Sequence, residues 1–254
     1  LVIMVVGLVI VASVDYVKRL ERYQGEFYGL ILFSAVGMMF LAGTRELISI
    51  YISLELTALP MAALIAFLLN ARSTEAAMKF FVLSAISSAV LLFGMALIFG
   101  FTGTTYLTEI AKVLTGTGVD GVPFGSYAVM LGIILIVAGF GFKISSVPFQ
   151  MWVPDVYEGG PTPIVAYLSV ASKAAGFAVL LRVFYIGFQS LDLDWGILFA
   201  VLSVASMTIG NVVAIAQNNI KRLLGYSTIA HAGYLLVGVA AISSGSQELT
   251  GNQT

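Results

Sequence analysis

No cysteine occurs in the 254 residues. That removes disulfides, thiolate nucleophiles and cysteine-held iron–sulfur clusters from anything the chain does by itself. A single histidine, His231, leaves too few imidazoles for a bis-histidine haem or a histidine-rich metal site. Charge is also scarce: Asp, Glu, Lys and Arg make up 10% of the residues, against about 25% in soluble domains. The formal net charge is -1, so no basic field points to nucleic acid as a partner. No phosphate-cradling glycine loop, nucleophile elbow or dinucleotide fingerprint is present.

What remains is overwhelmingly apolar, with 59% hydrophobic residues and a mean hydropathy of +1.02. The fold class is therefore an all-α polytopic membrane protein. About 20 apolar residues cross a bilayer core, and this measure predicts eight spans: roughly 1–17, 27–44, 47–69, 75–101, 126–147, 161–188, 193–217 and 221–243. Leu1 already lies inside an apolar run, and residues 243–254 are polar without a clear stop, so the chain reads as an internal piece of a longer protein, a single membrane domain over residues 1–254. Within the longest connection, 102–125, the stretch 105–114 has the pattern of a short amphipathic surface helix. Lys18, Arg19, Arg22, Arg72, Lys221 and Arg222 fall on one side, and Arg45, Lys112 and Arg182 on the other. The richer side is expected to be cytoplasmic.

The chain is organised around Gly141-Phe-Lys-Ile-Ser-Ser-Val-Pro-Phe-Gln-Met-Trp-Val-Pro-Asp-Val-Tyr-Glu-Gly-Gly-Pro-Thr-Pro163. Pro148 and Pro154 each remove a backbone donor and clash with the preceding turn, so the helix is expected to break here. Lys143 stands at that break, where freed carbonyls and water can carry a proton; it also reads as a lysine stabilised by a helix C-terminus. Lys173 lies near mid-membrane among Ser169, Ala171, Ser172, Ala174, Ala175 and Gly176, too deep to reach the surface. Glu55 is about 12 Å into its span at 1.5 Å per residue, five residues before Pro60. It reads as a proton-exchanging carboxylate or as a packing partner, with Lys173 its candidate counter-ion. Lys79 follows Glu75 by one helical turn and is either functional or half of a solvated interfacial pair. His231 is a proton relay or a satisfied core histidine. Asp155 and Glu158 either line a cytoplasmic mouth or are simply solvated, and Arg182 reads as a snorkelling anchor.

Several blocks together resemble a known family. They are Ser53-Leu-Glu-Leu-Thr-Ala-Leu-Pro60, Glu75-Ala-Ala-Met-Lys-Phe-Phe81, Gly141-Phe-Lys-Ile-Ser-Ser-Val-Pro-Phe149, Trp152-Val-Pro-Asp-Val-Tyr-Glu-Gly-Gly-Pro-Thr-Pro163 and Asn219-Ile-Lys-Arg-Leu-Leu-Gly-Tyr-Ser227. In this order they are similar to the antiporter-like membrane subunits of NADH-quinone oxidoreductase (respiratory complex I), in the form found in subunit N. The resemblance implies a fourteen-helix fold with inverted five-helix repeats, the first over residues 26–188 and the start of the second over 193–254. It implies proton translocation coupled to quinone reduction elsewhere in the complex, through Glu55, Lys143, Lys173, Lys79 and His231. A further charged residue of the family's twelfth helix would lie beyond Thr254, so this stretch alone is not expected to complete a proton path.

By the same resemblance the chain is part of a translocating oxidoreductase but carries no redox centre. NADH, flavin, iron–sulfur clusters and quinone are expected in other subunits. Partners are the neighbouring antiporter-like and small membrane subunits, the lipid bilayer and protons. The location implied is a prokaryotic plasma membrane or an inner organellar membrane. A free-standing cation/proton antiporter of the same superfold is the alternative reading.

Overall fold

The computed structural model describes residues 1–18, 23–114, 127–188 and 195–251, with side chains as far as residue 242. Arg19 and Arg22 lie outside the described residues. The helices are α1 (Val2–Val17), α2 (Gln24–Gly43), α3 (Leu47–Ile65), α4 (Ala71–Thr102), α5 (Leu107–Leu114), α6 (Tyr127–Ile144), α7 (Val153–Gly159), α8 (Thr162–Tyr167), α9 (Lys173–Arg182), α10 (Trp195–Ile215) and α11 (Ile220–Gly251). Single π-turns, Leu168–Ser172 and Val183–Gly187, join α8 to α9 and extend α9, so residues 162–187 run as one span. Seven helices among the described residues are long and apolar enough to cross a membrane, and the shorter α1 completes the eight expected segments. With no polar face, these helices gain their interior by packing on each other while their outer sides stay apolar.

The ends are set by short polar signals. Glu46 caps α3 by accepting from the amides of Ile48 and Ser49, and Asn70 caps α4 through the Ser73 amide at 2.8 Å. Gly103 ends α4 at a φ of 67°, a conformation that glycine adopts without a Cβ clash. α5 is amphipathic as expected: Leu107, Ile110 and Leu114 point inward, while Glu109 and Lys112 face out. It is strapped to the α2–α3 turn by main-chain bonds, Leu47 N to Thr105 O and Leu107 N to Arg45 O.

The side-by-side arrangement of positive residues is also visible. Arg72 and Arg222 meet at one end through Glu158. At the opposite end Arg182 donates to the Gly43 carbonyl at 2.8 Å, so this guanidinium ties α9 to the end of α2.

Pro154 departs from expectation. Pro148 sits in the irregular stretch after α6, but Pro154 occupies the first turn of α7, where a missing N–H costs nothing. It starts the second half-helix instead of breaking the first. Pro60 lies inside α3 and leaves the Leu56 carbonyl without the amide of residue 60.

Two helix pairs approach through glycine. A Cβ on Gly37 of α2 would lie 2.8 Å from the Thr57 amide of α3, and one on Gly210 of α10 would lie 2.7 Å from the Ala230 amide of α11. Both contacts join residues with the same spacing, 37 to 57 and 210 to 230. Backbone cannot yield as a flexible side chain does, so Gly210→Ala should force α10 and α11 apart at a cost of about 1–3 kcal/mol. Thermal unfolding in detergent should register a lower midpoint for Gly210→Ala and none for Gly238→Ala, where an added Cβ meets nothing within 4 Å.

Candidate functional site: two buried lysines and their surroundings

Lys143 lies in the last turn of α6 with 9% of its surface exposed. Beyond it the chain leaves the helix at Ser145, whose φ of 65° puts a residue with a side chain in the left-handed region. The resulting loose backbone groups are met by side chains from elsewhere. Trp152 Nε1 donates to the Phe142 carbonyl at 3.1 Å, and the Val147 amide donates to Ser206 Oγ of α10 at 2.9 Å. Phe80, Phe142 and Trp152 stack around the same turn, with Phe80 and Trp152 ring centroids 5.1 Å apart. The break is thus packed, with the Phe142 carbonyl and the Val147 amide paired, while Ser145 Oγ and Gln150 Oε1 are buried without a partner.

Beside Lys143 is a cavity of about 20 Å³, room for about one water molecule. Its polar wall is Ser84, Ser87, Ser88 and Ser172; Trp152 and Leu54 close other sides. The three α4 serines, spaced i, i+3 and i+4 in an apolar span, were legible as a polar stripe, but the motifs drew attention elsewhere. Glu55 of α3 is half-buried, its Oε1 buried without a hydrogen-bond partner. It acts electrostatically on Lys143 and on Tyr51 one turn above. This corrects the expected pairing: Glu55 faces the lysine of the broken helix, and Lys173 has a different partner.

Lys173 follows the first π-turn and is 7% exposed. A π-turn widens the helix by one residue and shifts the side chains after it around the axis. Its Nζ donates to the main-chain carbonyl of Thr228 on α11 at 2.6 Å. Ser172, its neighbour in sequence, lines the Lys143 cavity. Two consecutive residues therefore touch the two sites.

A second, larger space of about 290 Å³ lies between α8 and α11, lined by Tyr157, Thr162, Ser169, Lys221, Thr228 and His231 among others. His231 is exposed toward it, its ring 5.6 Å from that of Tyr234. The Tyr157 hydroxyl is buried without a hydrogen-bond partner; the Thr228 and Ser169 hydroxyls are beside it but out of bonding geometry. Burial pushes the phenol up to about 12, with those two hydroxyls pulling the other way. Nothing in the sequence motifs singled out Tyr157 or Thr228.

Lys79 is half-exposed at the N-terminal end of α4, not in the interior. It bonds Glu75 at 2.7 Å and Asp155 of α7 at 2.8 Å. Arg222 of α11 reaches Asp155 at 2.9 Å and Glu158 at 3.1 Å, and Arg72 approaches Glu158 at 3.5 Å. Six alternating charges thus join α4, α7 and α11. Asp155 and Glu158 are members of this network and not isolated solvated groups. Burial by itself raises the Asp155 pKa, but the hydrogen bonds and charges of Lys79 and Arg222 outweigh it and hold the carboxyl below its ordinary range. Among the described residues no cluster of metal-binding side chains occurs.

A family model described as NADH:quinone oxidoreductase/Mrp antiporter, TM matches residues 44–251. NADH-quinone oxidoreductase subunit N of Dehalococcoides mccartyi is 51% identical over 243 residues, 94% of this chain and 50% of that protein. A chain of respiratory complex I from Thermus thermophilus, solved with bound aureothin, superposes with a TM-score of 0.71 at 38% identity, covering 92% of this chain and 50% of that one. A chain of the Mrp complex from Dietzia sp. shares the fold with a TM-score of 0.79 at 21% identity, covering 94% of this chain and 43% of that one. The chain spans about half the length of the curated relatives it matches.

The Asp155 carboxylate gives a pH test. Its folded pKa lies below the unfolded value of about 3.9, so its contribution is complete above that value and is lost as pH falls below it. Asp155→Asn should lower stability by about 1–2 kcal/mol at neutral pH. Thermal melts from pH 7 to pH 3 should show less acid destabilisation in the variant than in the parent.

Proposed function

The chain belongs to the NADH:quinone oxidoreductase/Mrp antiporter membrane family, and from that membership we propose that it forms the first half of the proton path in a subunit N of a respiratory NADH:quinone oxidoreductase. The observation that carries the proposal is a pair of lysines buried in the spans with different partners. Lys143 faces Glu55 and a serine-lined cavity, while Lys173 rests on a carbonyl of α11.

The chemistry follows from electrostatics. A carboxylate near an ammonium stabilises both charges; separating them, or moving a third charge nearby, favours the neutral pair and sends a proton on. Lys143 gives up a proton when Glu55's field weakens. Cavity water and Ser172 offer it a way toward Lys173. The Thr228 carbonyl holds the ammonium that results, since a carbonyl accepts from the charged form as readily as a hydroxyl does. His231, one turn beyond Thr228, stands on the far side for onward transfer. Quinone reduction in other subunits supplies the driving force, and NADH, flavin, iron–sulfur clusters and quinone are held there. Neighbouring antiporter-like subunits and small membrane subunits flank the chain in a prokaryotic plasma membrane. Lys79 belongs to the surface ion network and acts on the path through α7.

Inverted repeats, the first over 26–188 and the start of the second over 193–254, belong to the same reading. The Gly37–Thr57 and Gly210–Ala230 contacts have the same spacing. The positions two residues before each partner are Glu55 and Thr228, the groups that meet the two lysines. The end-to-end charge contacts run α2 and α10 in opposite directions, as inverted repeats over 26–188 and 193–254 require.

The test is the whole complex in proteoliposomes, with Lys173→Ala in the full-length subunit. Redox-driven proton uptake should fall roughly tenfold or more while subunit assembly on native gels is preserved; Glu55→Gln should act in the same direction. Wild-type pumping in both variants would make the charges structural. Cation exchange by the full-length subunit reconstituted alone would instead identify a free-standing antiporter.

A further inference from the structure

We propose that Tyr157 is an additional member of the proton path, its hydroxyl passing protons between water in the α8–α11 cleft and Lys173. The inference rests on the reading of Lys173 given above and adds a residue to it.

A buried hydroxyl without a partner costs about 1–3 kcal/mol, and packing alone would be served as well by phenylalanine. The ring itself is tightly fitted: a Cβ on Gly225 would sit 3.3 Å from it. Its oxygen lies beside the Ser169 and Thr228 hydroxyls, both of which line the α8–α11 cleft. Ser169 of the α8–α9 span lies on one side, and Ser227, Thr228 and His231 of α11 on the other. A smaller groove of about 200 Å³ between α3 and α4 shows the contrast: beside Tyr51 and Thr105 its lining is apolar, with Leu47, Leu92, Met95 and Phe99, as suits a surface facing lipid chains. Among apolar neighbours such as Val165 and Leu224, the α8–α11 cleft carries Thr162, Ser169, Ser227, Thr228 and His231, groups that can hold water. At its outer end Lys221 donates to the Gly160 carbonyl at 3.4 Å, beside the start of α8.

Thr228 joins the two halves of the relay. Its main-chain oxygen accepts from Lys173 at 2.6 Å, and its side chain lies beside the Tyr157 hydroxyl. The Thr228 hydroxyl, which now donates to the Leu224 carbonyl at 2.8 Å, keeps lone pairs free to accept. In the transfer, the Lys173 ammonium gives a proton to Thr228 Oγ1 as the Thr228 hydroxyl proton passes to the Tyr157 oxygen and the Tyr157 proton passes to cleft water. One O–H bond forms and one breaks on each hydroxyl, neither keeps a charge, and the net products are the neutral Lys173 amine and a hydronium ion in the cleft. Because burial keeps the phenol protonated across the physiological range, Tyr157 works as a hydroxyl and never as a stored phenolate.

Tyr157→Phe keeps the ring and removes the oxygen. In the complete complex in proteoliposomes it should lower redox-driven proton uptake roughly three- to tenfold, with assembly intact. It should also raise the solvent deuterium isotope effect on uptake, a readout that a purely packing role leaves unchanged. Thr228→Val, which keeps the main-chain acceptor, should shift the isotope effect in the same direction and decides the matter if the first variant does not assemble. Wild-type uptake and isotope effect in the hydroxyl variants, alongside loss of pumping in Lys173→Ala, overturn the role of Tyr157 and leave the lysine path standing. Unchanged pumping in Lys173→Ala overturns both.

Discussion

A primary ammonium inside a lipid-spanning bundle has to find lone pairs, an opposite charge or water, and those demands organise this structure. For Lys143 the answer is an opposite charge through space together with a pocket of serine hydroxyls. For Lys173 it is a carbonyl from a neighbouring helix. The Thr228 carbonyl belongs to the unbroken α11 and offers Lys173 its second lone pair. On the lysines' own helices the irregularities fall beside the charges. α6 ends one residue after Lys143, at Ile144, and a π-turn precedes Lys173.

The irregular backbone is itself supported. Ser206 of α10 holds the amide after the break, Trp152 holds a carbonyl before it, and three aromatic rings fill the space between. α7 is the connecting piece. Its Trp152 edge closes the Lys143 cavity, its Tyr157 edge faces the cleft by Thr228, and its acids grip Lys79 and Arg222 at the surface. A seven-residue helix between two prolines has little internal cohesion. Its position is set by what it touches, and those contacts reach the surroundings of both lysines and the surface ion network.

Much of this was legible in the residues. Apolar run lengths placed the spans, the lone lysines and glutamate stood out against lipid, and Pro148 marked the break. The expected split of positive residues is seen where Arg72 and Arg222 meet at one end and Arg182 reaches the Gly43 carbonyl at the other. What sequence could not supply was which helix meets which. Glu55 stands beside Lys143, and not beside Lys173, because α3 and the broken helix share a cavity; that is a fact of packing with no local signature. The surface network joins Lys79 to Asp155 across 76 positions and Arg222 to Glu158 across 64. Pro154 was misread because proline breaks a helix interior yet suits a first turn, and the choice depends on where the preceding helix ends.

The acceptor for Lys173 is a main-chain oxygen, and that has a consequence for heredity. A substitution at residue 228 removes the hydroxyl but not this oxygen, so the contact with Lys173 rests on an atom that no codon change at that site deletes. The selective pressure falls instead on whatever keeps the α11 backbone at that distance from α9: the small residues at the α10–α11 contact, where Gly210 meets Ala230, and the charges that pin Arg222 to α7.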